Sequence, residues 1–188
     1  MKSPPATPWQ RFTGRGIYPV EYARWLLNPL RYLITPPGRI VSRLQLLPTD
    51  RVLEVGCGPG FFSPAVAHRL SAGHLTLFDA QAPMLEMALQ RLEKQRLTNV
   101  SSVCGSADNL PFADALFDVV FMVTVLGEVA DRAVAVREAA RSPPQWTFFL
   151  DRSCRRSGSG ETGRIGRACR IGRACEGRKL VGLLGPDL

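Results

Sequence analysis

Two rhythms of apolar positions alternate along residues 51–150. Short runs, each stopped by glycine or a polar turn, occur at 51–55 (RVLEV), 74–78 (HLTLF), 100–104 (VSSVC), 117–123 (FDVVFMV) and 146–150 (WTFFL). Their length and their β-branched and aromatic content predict strands. Between them, at 61–70, 83–96 and 131–141, apolar residues recur every three or four positions, the period of an amphipathic helix. The second of these is the clearest: Pro83 opens it, and Met84, Leu85, Ala88, Leu89 and Leu92 fall on one stripe. In 61–70, Pro64 is tolerable because it lies in the first turn. In 131–141 the inward candidates are Ala133, Val134, Val136 and Ala140. A further helix at 39–47 leads into the first strand. Strands alternating with helices of this length predict right-handed βαβ units, and so an α/β fold: a doubly wound, mostly parallel sheet flanked by helices. Ligands of such sheets sit beyond the carboxyl ends of the strands, near the switch in strand order.

The chemistry-bearing residues fall at those ends. After the first strand comes Glu54-Val55-Gly56-Cys57-Gly58-Pro59-Gly60. Glycines at alternate positions allow a sharp turn and a close approach of backbone to ligand. The dinucleotide fingerprint fails here, because the third position after Gly58 is Phe61, too large for close helix–strand packing. The phosphate-binding P-loop also fails, since no Gly-Lys-Ser/Thr follows. Asp79 ends the second strand, about 20 residues beyond the glycines. It reads either as an acceptor for vicinal ribose hydroxyls or as a helix N-cap. A third stretch, Gly105-Ser106-Ala107-Asp108-Asn109-Leu110-Pro111-Phe112, follows the third strand, with Phe117-Asp118-Val119-Val120 beyond it.

The nine residues from Val52 to Gly60 resemble the first motif of the class I S-adenosylmethionine-dependent methyltransferases. The 105–120 stretch resembles the branch that includes the ubiquinone and menaquinone biosynthesis methyltransferases. The resemblance runs over about residues 46–141 and implies a Rossmann-like domain with S-adenosylmethionine as cofactor and no metal. It implies that Gly56, Cys57, Gly58 and Gly60 wrap the methionine portion and that Glu54 holds its ammonium. A carboxylate suits a ligand that brings sulfonium and ammonium groups but no pyrophosphate. It further implies that Asp79 meets the ribose, that Ala80 and Met84 line ribose and adenine, and that Ala107 and Asp108 contact adenine. Val123, at the end of the fourth strand, completes the cofactor set. Residue by residue the plainer readings stand beside these: Glu54 as a solvated strand-end residue, Asp108 as a turn residue, Asp118 as an anchor of the strand edge.

Methyl transfer is an in-line displacement on an activated sulfonium, so positioning and desolvation do most of the work. A base is needed only where the nucleophile must lose a proton. Glu128 is the candidate; its plainer reading is an acidic residue in the first turn of the next helix. The histidines that many relatives carry at this point are absent from 123–128. The function expected is methyl transfer to an unidentified small molecule. Alternatives are a cofactor-binding but inactive fragment and, behind it, an RNA methyltransferase, which the lack of an Asn/Asp-Pro-Pro-Tyr-type motif disfavours.

Charge and cysteine usage refine this picture. The net charge of +8 is uneven: residues 1–150 hold fifteen basic and twelve acidic residues, 151–188 hold nine and four. The folded part is therefore only mildly basic, and a nucleic-acid partner is not expected. Five cysteines without a CxxC pair, and His68 and His74 far from any cysteine cluster, speak against a zinc site or disulfide framework. With no apolar leader and no run of about 18 apolar residues, a cytoplasmic protein without a membrane span is expected. Three regions are delimited: 1–45, a helical lid; 46–150, the cofactor-binding core; 151–188, a Gly/Arg-rich tail. The lid stretch 18–34 carries Trp25, Leu26, Leu27, Leu30, Tyr32 and Leu33. Packing over the cofactor is the first reading, and weak contact with a membrane interface the second. The tail contains RIGRAC twice, at 164–169 and 170–175. Its composition predicts disorder. The family pattern stops at Arg141 with no Gly-Gly after it, so a truncated or frame-shifted end that lacks the last strands is expected.

Overall fold

The structure, a computed structural model, describes residues 17–141 together with the backbone of 145–149. The expectations for the tail and for the missing last strands lie outside the described residues.

A 3₁₀ helix, Val20–Leu27, is followed by α1 (Pro29–Ile34) and α2 (Pro37–Leu44). Asn28 sets the break between the first two: its side chain accepts the Leu30 N–H at 2.9 Å, and Pro29 fills the first helical position, where no N–H is needed. Then come β1 (Arg51–Val55), α3 (Ser63–Arg69), β2 (His74–Asp79), α4 (Ala82–Glu93), β3 (Val100–Cys104), β4 (Val119–Val123), α5 (Arg132–Ala140) and β5 (Gln145–Phe149). The strands form one sheet in the order β3-β2-β1-β4-β5, and every pairing is parallel. This is the doubly wound Rossmann-like sheet, and its order reverses between β1 and β4.

Strand alternation divides the core in two. Val52, Leu75, Leu77, Val119 and Phe121 face α2, α3 and α4, where Leu44, Val66, Ala88 and Leu92 are buried against them. Leu53, Val55, Phe78, Val120 and Met122 face the other way, toward Ala135, Val136 and Ala139 of α5. Phe78 and Phe121 are each 1 % exposed, so truncating either to alanine costs about 3–5 kcal/mol.

The helix expected over 39–47 spans Pro37–Leu44 and the one expected over 83–96 spans Ala82–Glu93, and three further expectations shift. The helix expected from Phe61 begins at Ser63, because Phe61 and Phe62 are buried, edge-to-face at 4.9 Å, with Phe61 also packed on Tyr32. β4 begins at Val119, and Asp118 anchors its edge instead: its Oδ2 accepts the Arg51 N–H at 2.8 Å and pairs with the guanidinium at 3.2 Å. In α5 the buried face is Ala135, Val136 and Ala139, while Ala133 and Ala140 are exposed. Asp131 caps this helix by accepting the Ala133 and Val134 N–H groups, which holds that turn at the surface. Arg141 just beyond α5 donates to the carbonyls of Leu110 and Phe112 and pairs with Glu138, fixing the loop that follows β3.

Candidate functional site

A cleft of about 230 Å³ opens at the carboxyl ends of β1, β2 and β4, beside the switch point between β1 and β4. Its floor is the loop after β1. The Gly56 and Cys57 N–H groups both donate to the Phe78 carbonyl, at 2.6 and 3.2 Å, which draws the loop onto the end of β2. Gly56 adopts φ +71°, and a Cβ there would stand 2.3 Å from Val125 Cγ2. Backbone and space both require glycine at this point. Gly60, at φ +76°, does something else: a Cβ there would meet the Ala88 backbone at 3.0 Å, so this glycine lets α4 approach the loop.

Asp79 locks the arrangement. Its Oδ2 accepts the Gly58 N–H at 2.8 Å and its Oδ1 accepts the Gln81 N–H at 2.9 Å. Burial pushes the carboxyl above its ordinary range, and the N–H groups of Gln81, Gly58 and Ala80 oppose that shift. Gln81, not Asp79, is the N-cap residue of α4. Glu54 is buried inside β1. Ser63 Oγ donates to its Oε2 at 2.6 Å, and burial pushes its carboxyl up to about 8 against that hydrogen bond. Cys57 lines the cleft as a buried thiol whose pKa burial also raises.

Glu128 lies on the far wall. It sits in a turn four residues before α5, so it is not in the first turn of that helix. Its Oε2 accepts the Tyr18 N–H at 3.0 Å. Burial pushes the carboxyl up to about 7; the Tyr18 N–H opposes this and the charge of Asp79 adds to it. The Tyr18 carbonyl accepts from Gln81 Nε2 at 2.9 Å, so one residue of the N-terminal segment bridges both walls. Ile17, Leu26 and Arg31 of that segment also line the cleft. Arg31 lays its guanidinium 4.4 Å from the Phe61 ring centre and donates to the Leu26 carbonyl.

Of the residues singled out by sequence, Gly56, Cys57, Gly58, Asp79, Ala80, Met84, Ala107, Val123 and Glu128 line this one cleft; Glu54, Gly60 and Asp108 are not among its lining. Asp108 sits half-buried in a turn. Sequence reasoning missed Tyr18, Arg31, Gln81 and Thr124. Gln81 follows Asp79 by two positions and could have been found as the start of α4. Thr124 has φ +61°, a conformation that strains a β-branched residue by about 1–3 kcal/mol, and nothing in its sequence neighbourhood signals it. Two carboxylates, from Asp79 and Glu128, with apolar walls from Val55, Phe78, Met84 and Val123, fit a cationic ligand that also carries a ring system.

A family profile described as a methyltransferase domain matches residues 52–142. A demethylmenaquinone methyltransferase of Lactiplantibacillus plantarum is 34 % identical over 103 residues, which are 54 % of this chain and 44 % of the relative. A malonyl-[acyl-carrier protein] O-methyltransferase of Legionella pneumophila is 32 % identical over 106 residues, 55 % of this chain and 37 % of the relative. The chain thus spans less than half the length of either curated relative. A SAM-dependent methyltransferase from Aquifex aeolicus superposes with a TM-score of 0.63 over 67 % of this chain and 68 % of its own, at 24 % identity, a likeness of fold. The profile match and the curated relatives thus make residues 52–142 similar to a methyltransferase domain, and the strand-end cleft lies within that stretch and its flanks.

Proposed function

We propose that this chain transfers a methyl group from S-adenosylmethionine to a small-molecule acceptor held in the cleft. The observation that carries the reading is the hydrogen bond between the Gly58 N–H and Asp79, which joins the glycine loop to the end of β2 inside one cleft. When bound, the cofactor supplies an electrophilic methyl group on a sulfonium. The loop backbone from Gly56 to Gly58 brackets the methionine portion. Asp79, pre-oriented by two backbone N–H groups, takes the ribose hydroxyls. Glu54 contributes indirectly: its bond to Ser63 fixes the junction of β1 and α3 beneath the loop. Ala107 and Met84 line the adenine side, with Asp108 beside them on the loop after β3.

Glu128 orients the acceptor and takes its proton. A carboxyl raised to about 7 is half-ionised near neutral pH, the range in which a general base works best. Apolar walls and the bridging Tyr18 exclude water from the reacting groups. A cleft of about 230 Å³ favours a small acceptor over a macromolecule. The two curated relatives carry different acceptors in their names, so the acceptor's identity is a matter for assay.

The test is a transfer assay with the full chain and methyl-labelled S-adenosylmethionine against a panel of phenols, carboxylic acids, amines and activated carbon acids. Label moving to one acceptor class, with S-adenosylhomocysteine as product, is the expected result. Saturable binding of S-adenosylhomocysteine without transfer to any acceptor would replace this reading with a cofactor-binding, inactive domain.

A further inference from the structure

Six of the eight large apolar side chains exposed among the described residues lie between 17 and 34: Ile17, Tyr22, Trp25, Leu30, Leu33 and Ile34. Trp25 is 66 % exposed, Leu33 80 % and Ile34 70 %. Helix α1 contains no buried residue, although Leu30, Leu33 and Ile34 make up half of it. Folding does not account for side chains placed this way, since the same segment uses other residues for its inner contacts. Ala23 is buried, and Tyr18, Leu26 and Arg31 line the cleft. A continuous sequence segment that turns Trp25, Leu30, Leu33 and Ile34 outward marks an interaction surface.

The surrounding charge identifies the partner. Arg24 and Arg39 are exposed on this segment and the one that follows, and Glu21 is the only acidic residue from 17 to 49. A second copy is a poor match. A two-fold interface would bring Arg24 and Arg39 to the contact twice over, with only Glu21 from each copy to answer them. An anionic lipid surface meets both features. Trp and Tyr rings settle at headgroup depth, leucine and isoleucine reach the acyl boundary, and arginines meet phosphate groups. Among the described residues no helix is long and apolar enough to cross a membrane, so the contact is one of lying on the bilayer.

We propose that residues 17–34 form a docking surface for an anionic lipid bilayer. Because the same segment supplies one wall of the cleft, docking brings the cleft to the interface. The proposal does not rest on methyl transfer, and its test needs no cofactor.

The full chain is sedimented with phosphatidylcholine vesicles made with and without phosphatidylserine. Binding to the phosphatidylserine vesicles, reduced by added salt, is expected. The double variant Leu33→Glu/Ile34→Glu should lower that partitioning about tenfold or more. Should that variant lose its far-ultraviolet dichroism, Trp25→Ser carries the same comparison. No binding to anionic vesicles, binding unchanged in the variants, or equal binding to phosphatidylcholine alone would each overturn the proposal. So would a dimer in light scattering that Leu33→Glu/Ile34→Glu breaks, since the face would then belong to a second copy.

Discussion

Glu54 in β1 and Asp79 at the end of β2 are both buried carboxylates on neighbouring strands, 2 % and 8 % exposed. Glu54 shares the pleat face of Val52, turned to α3, and meets the Ser63 hydroxyl. Val55, the next residue, takes the other face and lines the cleft. Asp79 is the last residue of its strand, where the ladder gives way to the turn, and its carboxylate collects N–H groups from the glycine loop and from the start of α4. Proximity to a strand end therefore does not by itself place a carboxylate in the lining of the cleft. Both carboxylates fall on the Val52 face, Asp79 two residues after Leu77; the difference is that Glu54 lies inside its strand and Asp79 is the last residue of its own.

A third carboxylate, Glu128 beyond β4, shares the cleft with Asp79. Glu128→Gln retains an acceptor for the Tyr18 N–H but loses the titratable group. Turnover should fall by about a hundredfold, with the affinity for S-adenosylhomocysteine nearly unchanged. Equal turnover would leave Glu128 only a structural role.

Asp79→Ala and Glu54→Gln separate the two strand ends directly. The first should weaken S-adenosylhomocysteine binding by about 1.5–3 kcal/mol, the range for a hydrogen bond to a charged group. The second keeps the shape beside Ser63 and should leave affinity within about threefold, less than 1 kcal/mol. Calorimetric titration of both variants reads the difference, and a larger loss in Glu54→Gln would reverse the assignment.

Stability should also carry the mark of Glu54. Its carboxyl rises from an ordinary 4.5 to about 8 in the folded chain, so the folded state holds a proton that the unfolded state releases. That contribution is complete below about pH 4.5 and is lost as pH rises through about 8; Glu128, raised to about 7, acts in the same direction. The melting temperature should fall between about pH 5 and pH 8. Glu54→Gln should flatten that slope, and an unchanged slope would show that burial does not hold the proton on Glu54.

The smallest effect concerns the cleft wall. Thr124→Gly removes the strain of φ +61° and should raise stability by about 1 kcal/mol in denaturant unfolding. A loss of stability would mean that contacts of the threonine outweigh its backbone conformation.

Much of this was legible in the sequence because it is local. β1 and β3 have the bounds that their apolar runs predict, and the glycine loop and Asp79 lie where the strand–turn–helix reading puts them. The stripe on α4 is buried at Met84, Leu85, Ala88 and Leu92 as the spacing requires. The rest depends on contacts remote in sequence. Tyr18 meets Glu128 across 110 positions, and no periodicity encodes that. The inward face of α5 falls on Ala135, Val136 and Ala139 rather than on Ala133 and Ala140, and the alanine-rich sequence gives little contrast between faces from which to read it. Gly60 looked like its neighbours in the motif, yet only the approach of Ala88 shows what it is for.

On the proposed function, the strand-end cleft holds the cofactor, with Asp79 inside the footprint and Glu54 beneath it. Amide hydrogen exchange of the full chain, with and without saturating S-adenosylhomocysteine, tests this most directly. Protection concentrated in peptides covering 56–60, 79–84 and 105–108, with little change along α2 and the outer turns of α5, is the predicted result. Saturable binding that leaves the glycine loop and the Asp79 turn unprotected, with protection elsewhere, would put the cofactor outside this cleft.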